Sequence, residues 1–364
     1  MPEELFENRL TETALGLAVS AVRASLLPRV WILLAAGIFI DRPIMDLLEI
    51  ERHVTARSWT AQSWDLLPES MRDFAEKAWL GPLGLVAPFL KLLEANNRIE
   101  MIQAFIGILF TVFFWGIIGA AICRIAITRM ANRPIPGIKS SIAFAWVHRS
   151  AIWGPVLTLF LTSLFFFTAI LLMGLAQSIP VIGKPLGWIF VPISAILSVF
   201  IATSMVGLVL GWPLSLGAAM AEAEDSFDAL SRSQTYLFQA PVSWLWSFKI
   251  GVIVQAITWL VVHKMTWAIV CILKAGNSLF QSDLPSWTAI LPAPWNHLIV
   301  SSDPIETWIN TIGGLAACWP IAFEFAFAGA LYLSLRQRVD GISPRVIFMP
   351  GQSEGSFYEE SAEF

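Results

Sequence analysis

The chain has 364 residues, of which 56% are hydrophobic and only 14% are charged, and its mean hydropathy is +0.68. Ordinary soluble domains carry about 25% charged residues, so this composition excludes that class and indicates a membrane protein. The formal net charge of -4, with one sizeable basic stretch beside an apolar segment, does not indicate a nucleic-acid partner.

Six apolar segments are long enough to cross a bilayer, because a hydrocarbon core of about 30 Å requires roughly 20 helical residues. The segments lie at about residues 24–40, 101–123, 151–176, 186–210, 244–267 and 308–335. The first is the weakest, with Arg29 near its start and Asp41 at its end. The sequence therefore predicts an all-α polytopic membrane bundle of about six transmembrane helices, forming one domain over residues 1–340.

The connection after the second segment carries basic charges and no acid; its cations are Arg124, Arg129, Arg133, Lys139 and Arg149. Short loops rich in Lys and Arg remain in the cytoplasm, so we place this connection inside. Counting from it predicts a bacterial inner-membrane protein with both termini cytoplasmic. Residues 41–100 and 271–307 are then external, and residues 341–364 form a loose cytoplasmic tail. The acidic N-terminus shows no cleavage site, so we expect the first segment to remain as an anchor.

Two short amphipathic stretches interrupt the apolar segments on the predicted cytoplasmic side. The first, residues 138–153, begins near Ser140 and precedes Gly154-Pro155. The second lies between the fourth and fifth segments and ends at Pro241. We call each an elbow, and the pair raises the hypothesis of two parallel repeats, since internal repeats are common in transporter folds.

The second elbow carries the clearest local signals. Asp225 is a candidate N-cap, with Asp228 three residues later, and Trp244 follows Pro241 at headgroup level. One interpretation is a docking surface or gate; the other is a helix that only turns the chain along the membrane interface. The candidate docking residues are Asp225, Phe227, Asp228, Leu230, Arg232 and Tyr236.

The second elbow and its surroundings also carry a resemblance. The stretch SFDALSRSQTYLFQAP, with Phe227–Ser233, Tyr236 and Pro241, resembles a group of uncharacterised polytopic membrane proteins of planctomycete-type bacteria. More loosely, it is similar to the membrane domain of glycerophosphodiester phosphodiesterase-associated proteins. The resemblance covers about residues 138–260 and implies a fold, not an activity.

Charges within apolar segments are costly, by about 2.5 to 3.5 kcal/mol on insertion scales, and therefore mark candidate functional sites. Glu324 lies well inside the sixth segment, and Lys249 lies at a comparable depth in the fifth, so the two are a candidate pair. Pro320, one turn before Glu324, leaves the Ala316 carbonyl without its helical donor. Glu324 is either a proton or cation site in a transport path or a carboxyl buried for packing.

No catalytic, cofactor or metal signature emerges from the sequence. The three cysteines, Cys123, Cys271 and Cys318, and the four histidines are scattered, without metal-ligand spacing. Two stretches that we place outside, residues 79–93 and 284–300, are apolar, rich in Trp and broken by Pro. They lie flat at the headgroups, dip into the bilayer as re-entrant loops, or contact other membrane proteins.

These features rank the possible functions. We expect a non-enzymatic subunit or assembly factor of a membrane complex, with the lipid bilayer and possible membrane-protein subunits as partners. The alternative is a small permease or channel that uses Glu324.

Overall fold

A computed structural model describes residues 3–50, 85–179 except 86 and 93, 183–278 except 224, and 304–350. These residues form helices joined by short connections, and none of them lies in a β-strand. The all-α fold expected from the sequence is therefore confirmed.

The helices have the following bounds: α1 Glu3–Ser25, α2 Pro28–Leu47, α3 Arg98–Phe110, α4 Gly116–Met130, α5 Ile138–Val147, α6 Arg149–Gln177, α7 Gly183–Glu222, α8 Ser226–Gln239, α9 Pro241–Ser278 and α10 Pro304–Val339. A π-helical turn, Thr111–Trp115, joins α3 to α4 without a break in the helix. The elbows are α5 and α8, each placed between two long helices.

Five helical stretches are long and apolar enough to cross a membrane: Arg98–Met130, Arg149–Gln177, Pro185–Glu222, Pro241–Leu273 and Thr311–Val339. They overlap the last five segments expected from the sequence. A sixth crossing is formed only if α1 and α2, which meet at a bend of 67°, are counted as one broken span. The described chain has the composition and helix lengths of a polytopic membrane protein.

The first segment differs from its expected bounds of 24–40. Ser25 ends α1, Pro28 begins α2, and α2 continues through Asp41 to Leu47. Proline suits a helix start because the first turn needs no amide donor. Asp41 is buried and accepts a hydrogen bond from the Trp115 indole at 2.9 Å, so it does not mark an exit from the bundle.

Helix α10 lies at the centre of the bundle and contacts α1, α4, α7 and α9. In its most apolar stretch 88% of the residues are buried, against 6% in α6 and in α7. The ring of Phe325 stacks on Trp115 and meets Trp212 edge-on, each at 6.4 Å between centroids. These contacts place the protein core around α10 and leave α6 and α7 largely at the periphery.

Gly217 allows α7 to approach α10 closely. A methyl group added at Gly217 would lie 3.0 Å from the Ala328 carbonyl oxygen and would also overlap Tyr332. We expect Gly217→Ala to lower the stability by about 1–3 kcal/mol, because a packed helix contact must open. Thermal unfolding in detergent would show a lower Tm. Gly174→Ala is the matched control, because Gly174 faces open space; equal Tm values for both variants would contradict the close approach.

Candidate functional site

Both elbows lie at one end of the bundle, which we call the elbow end. Arg124 of α4 donates to the Met220 carbonyl near the end of α7, at 2.6 Å. Arg336, near the end of α10, donates to Glu222 at 2.9 Å. The C-terminal parts of α4, α7 and α10 therefore meet there. Helices α5 and α8 follow α4 and α7 directly, so both begin at this end.

Helix α8 has the start and stop expected from the sequence. The Asp225 carboxylate accepts hydrogen bonds from the amides of Phe227 and Asp228, at 2.8 and 3.0 Å. Pro241 begins α9. The buried face of α8 carries two small side chains and two large ones: Ala229 and Ser233, and Tyr236 and Leu237. Phe227 and Phe238 are exposed instead, so α8 turns its phenylalanines outward.

The contribution of the Asp225 cap to the stability of the protein should be measurable. We expect Asp225→Ala to lower the stability by about 1 kcal/mol, because two amides at the start of α8 lose their acceptor. The measurement is the Tm in detergent, with the exposed Ser231→Ala as control. An unchanged Tm for Asp225→Ala would show that the cap does not stabilise α8.

Glu222, the last residue of α7, is the centre of a buried charge network. One carboxylate oxygen accepts from the Tyr332 hydroxyl and from Arg336, and the other pairs with Arg232 at 2.5 Å. The side chains of Glu222 and Arg336 are 3% and 0% exposed, whereas that of Arg232 is 31% exposed. One carboxylate thus pairs with a buried guanidinium and with a half-buried one, and its single negative charge is shared between them.

The chain after α10 packs onto this network, contrary to the expectation of a loose tail from residue 341. Arg336 donates to the carbonyls of Ser343 and Val346, and Arg124 donates to that of Phe348 at 2.6 Å. The side chains of Val346 and Ile347 are fully buried, and backbone carbonyls of the same segment accept hydrogen bonds from Arg124 and Arg336. Residues 341–350 therefore belong to the bundle. Residues 351–364 lie outside the described part of the chain.

Tyr236 connects α8 to the end of α10. Its hydroxyl donates to the Asp340 carboxylate, and its ring lies 5.7 Å from that of Tyr332. Burial raises the pKa of Tyr236, and the hydrogen bond to Asp340 raises it further. The phenol therefore remains a protonated donor at physiological pH.

Sequence reasoning selected Arg232 and Tyr236 of this network but missed Glu222, Arg336 and Arg124 as its centre. One signal was present in the sequence: no Asp or Glu occurs between Glu100 and Glu222. An acid that ends such a long acid-free stretch, at the end of an apolar helix, is a candidate partner for basic residues. Leu230 is half-buried in α8 and takes no part in the network.

The candidate pair of Lys249 and Glu324 does not form. Lys249 is exposed, and its ammonium lies 5.1 Å from the centre of the Trp246 ring. Glu324 is half-buried, and the polar side chain beside it is that of Gln255. The Lys249 side chain lies against the Trp246 ring and therefore points away from α10. Pro320 lies inside α10 as expected.

Among the described residues, no group of three His, Cys, Asp or Glu is placed to hold a metal, and Cys123, Cys271 and Cys318 are free thiols. A narrow surface groove lies between α6, α7 and α8 beside Gln234, and it has no enclosed room for a water molecule. It therefore does not form a pocket for a small molecule.

Comparison with known proteins yields no match to a family model, a curated protein or a solved structure. Of the two Trp-rich and Pro-rich stretches that the sequence predicts to be external, residues 79–84, 86, 93 and 284–300 lie outside the described part of the chain. The function must therefore be argued from the surfaces and the network above.

Proposed function

We propose that this chain is a non-enzymatic subunit or organising factor of a membrane complex, and that its partner docks on the hairpin arm. The hairpin arm comprises residues 157–179 of α6 and 185–206 of α7. Ser163 is its only buried residue within those ranges. This exposure is the observation that carries the proposal.

The hairpin arm differs from the rest of the bundle in what it packs against. Helices α6 and α7 contact each other along their lengths, and α7 joins the core only beyond the arm, where Leu214, Leu216 and Met220 are buried. The arm exposes several large aromatic side chains: Phe165, Phe167, Trp188 and Phe200. Aromatic residues are enriched where proteins associate, and membrane helices associate by close van der Waals packing.

The membrane we propose is the bacterial inner membrane, with the elbow end and both termini in the cytoplasm. The support is the basic connection that contains Lys139 and Arg149, together with Arg336 and Arg338 near the end of α10. The external Trp-rich and Pro-rich stretches would add a second contact surface.

The proposed function is tested by purifying the tagged full-length protein from its native membrane in mild detergent. We expect mass spectrometry to find a stoichiometric protein partner, which is lost when Phe165 and Leu172 of the hairpin arm are changed to Ala. The matched control changes Ile257 and Val261, two exposed apolar residues of α9. Retention of the partner by the arm variant, or absence of any partner, would contradict the proposal.

A small permease is the second candidate function, favoured by one feature of the interior. The Gln255 side chain is buried, and its amide interacts with the Glu324 carboxyl. Such a polar site is where a solute would bind in a transport path. The same purification tests this candidate, because a lone protein that retains a defined solute, lost in Glu324→Gln, would support it.

A further inference from the structure

Helix α5 turns a distinct face outward at the elbow end. Its exposed residues are Lys139, Ser140, Ala143, Trp146 and Val147, which recur at the spacing of one helical face. Ser141 and Ala145 are buried on the opposite face. The outward face of α5 therefore carries Lys139 at one end and two large apolar side chains, Trp146 and Val147, at the other.

A second exposed cation completes this face. Arg149, the first residue of α6, donates to the Trp146 carbonyl at 3.1 Å, and its guanidinium lies 5.5 Å from the centre of the Trp146 ring. The exposed Trp146 and Val147 are thus flanked by Lys139 on one side and Arg149 on the other. Trp prefers the headgroup level of a membrane, where its apolar ring and its N–H are both accommodated.

The sequence around α5 carries cations and no acid. No acid occurs between Glu100 and Glu222, so neither α5 nor its neighbours in sequence supply a carboxylate to neutralise Lys139 and Arg149. The acids nearest in the fold to Arg149 that the contacts identify are those of the first turn of α8, where the Ser226 hydroxyl donates to the Ser150 carbonyl at 2.7 Å. The other elbow, α8, differs: its exposed first turn carries Asp225 and Asp228. The two elbows lie at the same end of the bundle, yet only α5 combines cations with exposed apolar side chains on its outward face.

We propose that the outward face of α5 binds the headgroups of anionic phospholipids. Lys139 and Arg149 contact the lipid phosphates, and Trp146 and Val147 insert between the headgroups. Basic amphipathic helices bind anionic bilayers by this combination of charge and apolar area.

The test is native mass spectrometry of the full-length protein in detergent, titrated with phosphatidylglycerol and, separately, with zwitterionic phosphatidylcholine. We expect phosphatidylglycerol to bind more tightly than phosphatidylcholine, with an affinity that decreases as salt is added. Lys139→Gln and Arg149→Gln should each weaken phosphatidylglycerol binding by about fivefold, and the double variant by about 20-fold. The matched control is Lys184→Gln, which removes the same charge from the opposite end of the bundle.

Two further measurements separate this proposal from a change in folding. Lys139 and Arg149 are both exposed, so the Tm of each of their variants should equal that of the native protein. Trp146→Ala should also weaken phosphatidylglycerol binding without changing its salt dependence. Equal binding of the two lipids by the native protein, or equal binding of phosphatidylglycerol by the double variant and the native protein, would overturn the proposal.

Discussion

Glu222→Gln is expected to destabilise the protein more than any other single substitution considered. Glu222 is the shared partner of Arg232 and of the fully buried Arg336. Its replacement by a neutral amide leaves a buried guanidinium without a counter-charge, and breaking a buried ion pair in this way costs about 3–5 kcal/mol. The Tm in detergent, followed by tryptophan fluorescence, should decrease strongly.

The matched control for Glu222→Gln is Asp228→Asn, which removes an exposed carboxylate from the neighbouring helix α8. Surface substitutions of this kind change stability by about 0.5 kcal/mol or less. Comparable Tm values for the two variants would show that Glu222 does not stabilise the elbow end.

Deletion of residues 341–364 is the second change with a large expected effect. It removes Val346 and Ile347, which are fully buried, and the carbonyls that accept from Arg336 and Arg124. Burial of an aliphatic side chain contributes about 1.5–3 kcal/mol, so the loss of two such residues should exceed the loss of one polar contact. We expect a lower Tm and faster proteolysis at the end of α10.

Truncation after Pro350 provides the control for this deletion. It keeps every contact that residues 341–350 make with α4, α7 and α10. We expect its Tm to exceed that of the 341–364 deletion, because Val346 and Ile347 remain buried. A shorter deletion that is as destabilising as the longer one would place the stabilising contacts beyond Pro350 and contradict the packing described here.

The long helices and the ends of α8 could be predicted from the sequence, because each depends on residues within a single segment. Apolar runs of about 20 residues identified five of the long helices, because a bilayer imposes that length on any helix that crosses it. Asp225 and Pro241 bounded α8 correctly, because capping and proline effects act within one turn.

Contacts between residues far apart in the sequence could not be predicted in this way. Arg336 and Glu222 are separated by 114 positions, and Arg124 and Phe348 by 224. Hydropathy predicts the end of a membrane segment at Asp41, because it treats every carboxylate alike. In the structure the Trp115 indole donates a hydrogen bond to Asp41 inside the bundle. Lys249 and Glu324 match in depth along their helices, but depth does not determine which way each side chain points.

Photocrosslinking from the hairpin arm would test the proposed function most directly. The photoreactive residue benzoylphenylalanine would be placed at Leu172 of the hairpin arm and, as control, at Val261 of α9, and cells would be irradiated with the protein in its native membrane. The proposal predicts that Leu172 crosslinks to one defined membrane protein and that Val261 does not. Crosslinks to lipid alone at both positions would show that the hairpin arm faces the bilayer, and would contradict its role as a partner surface.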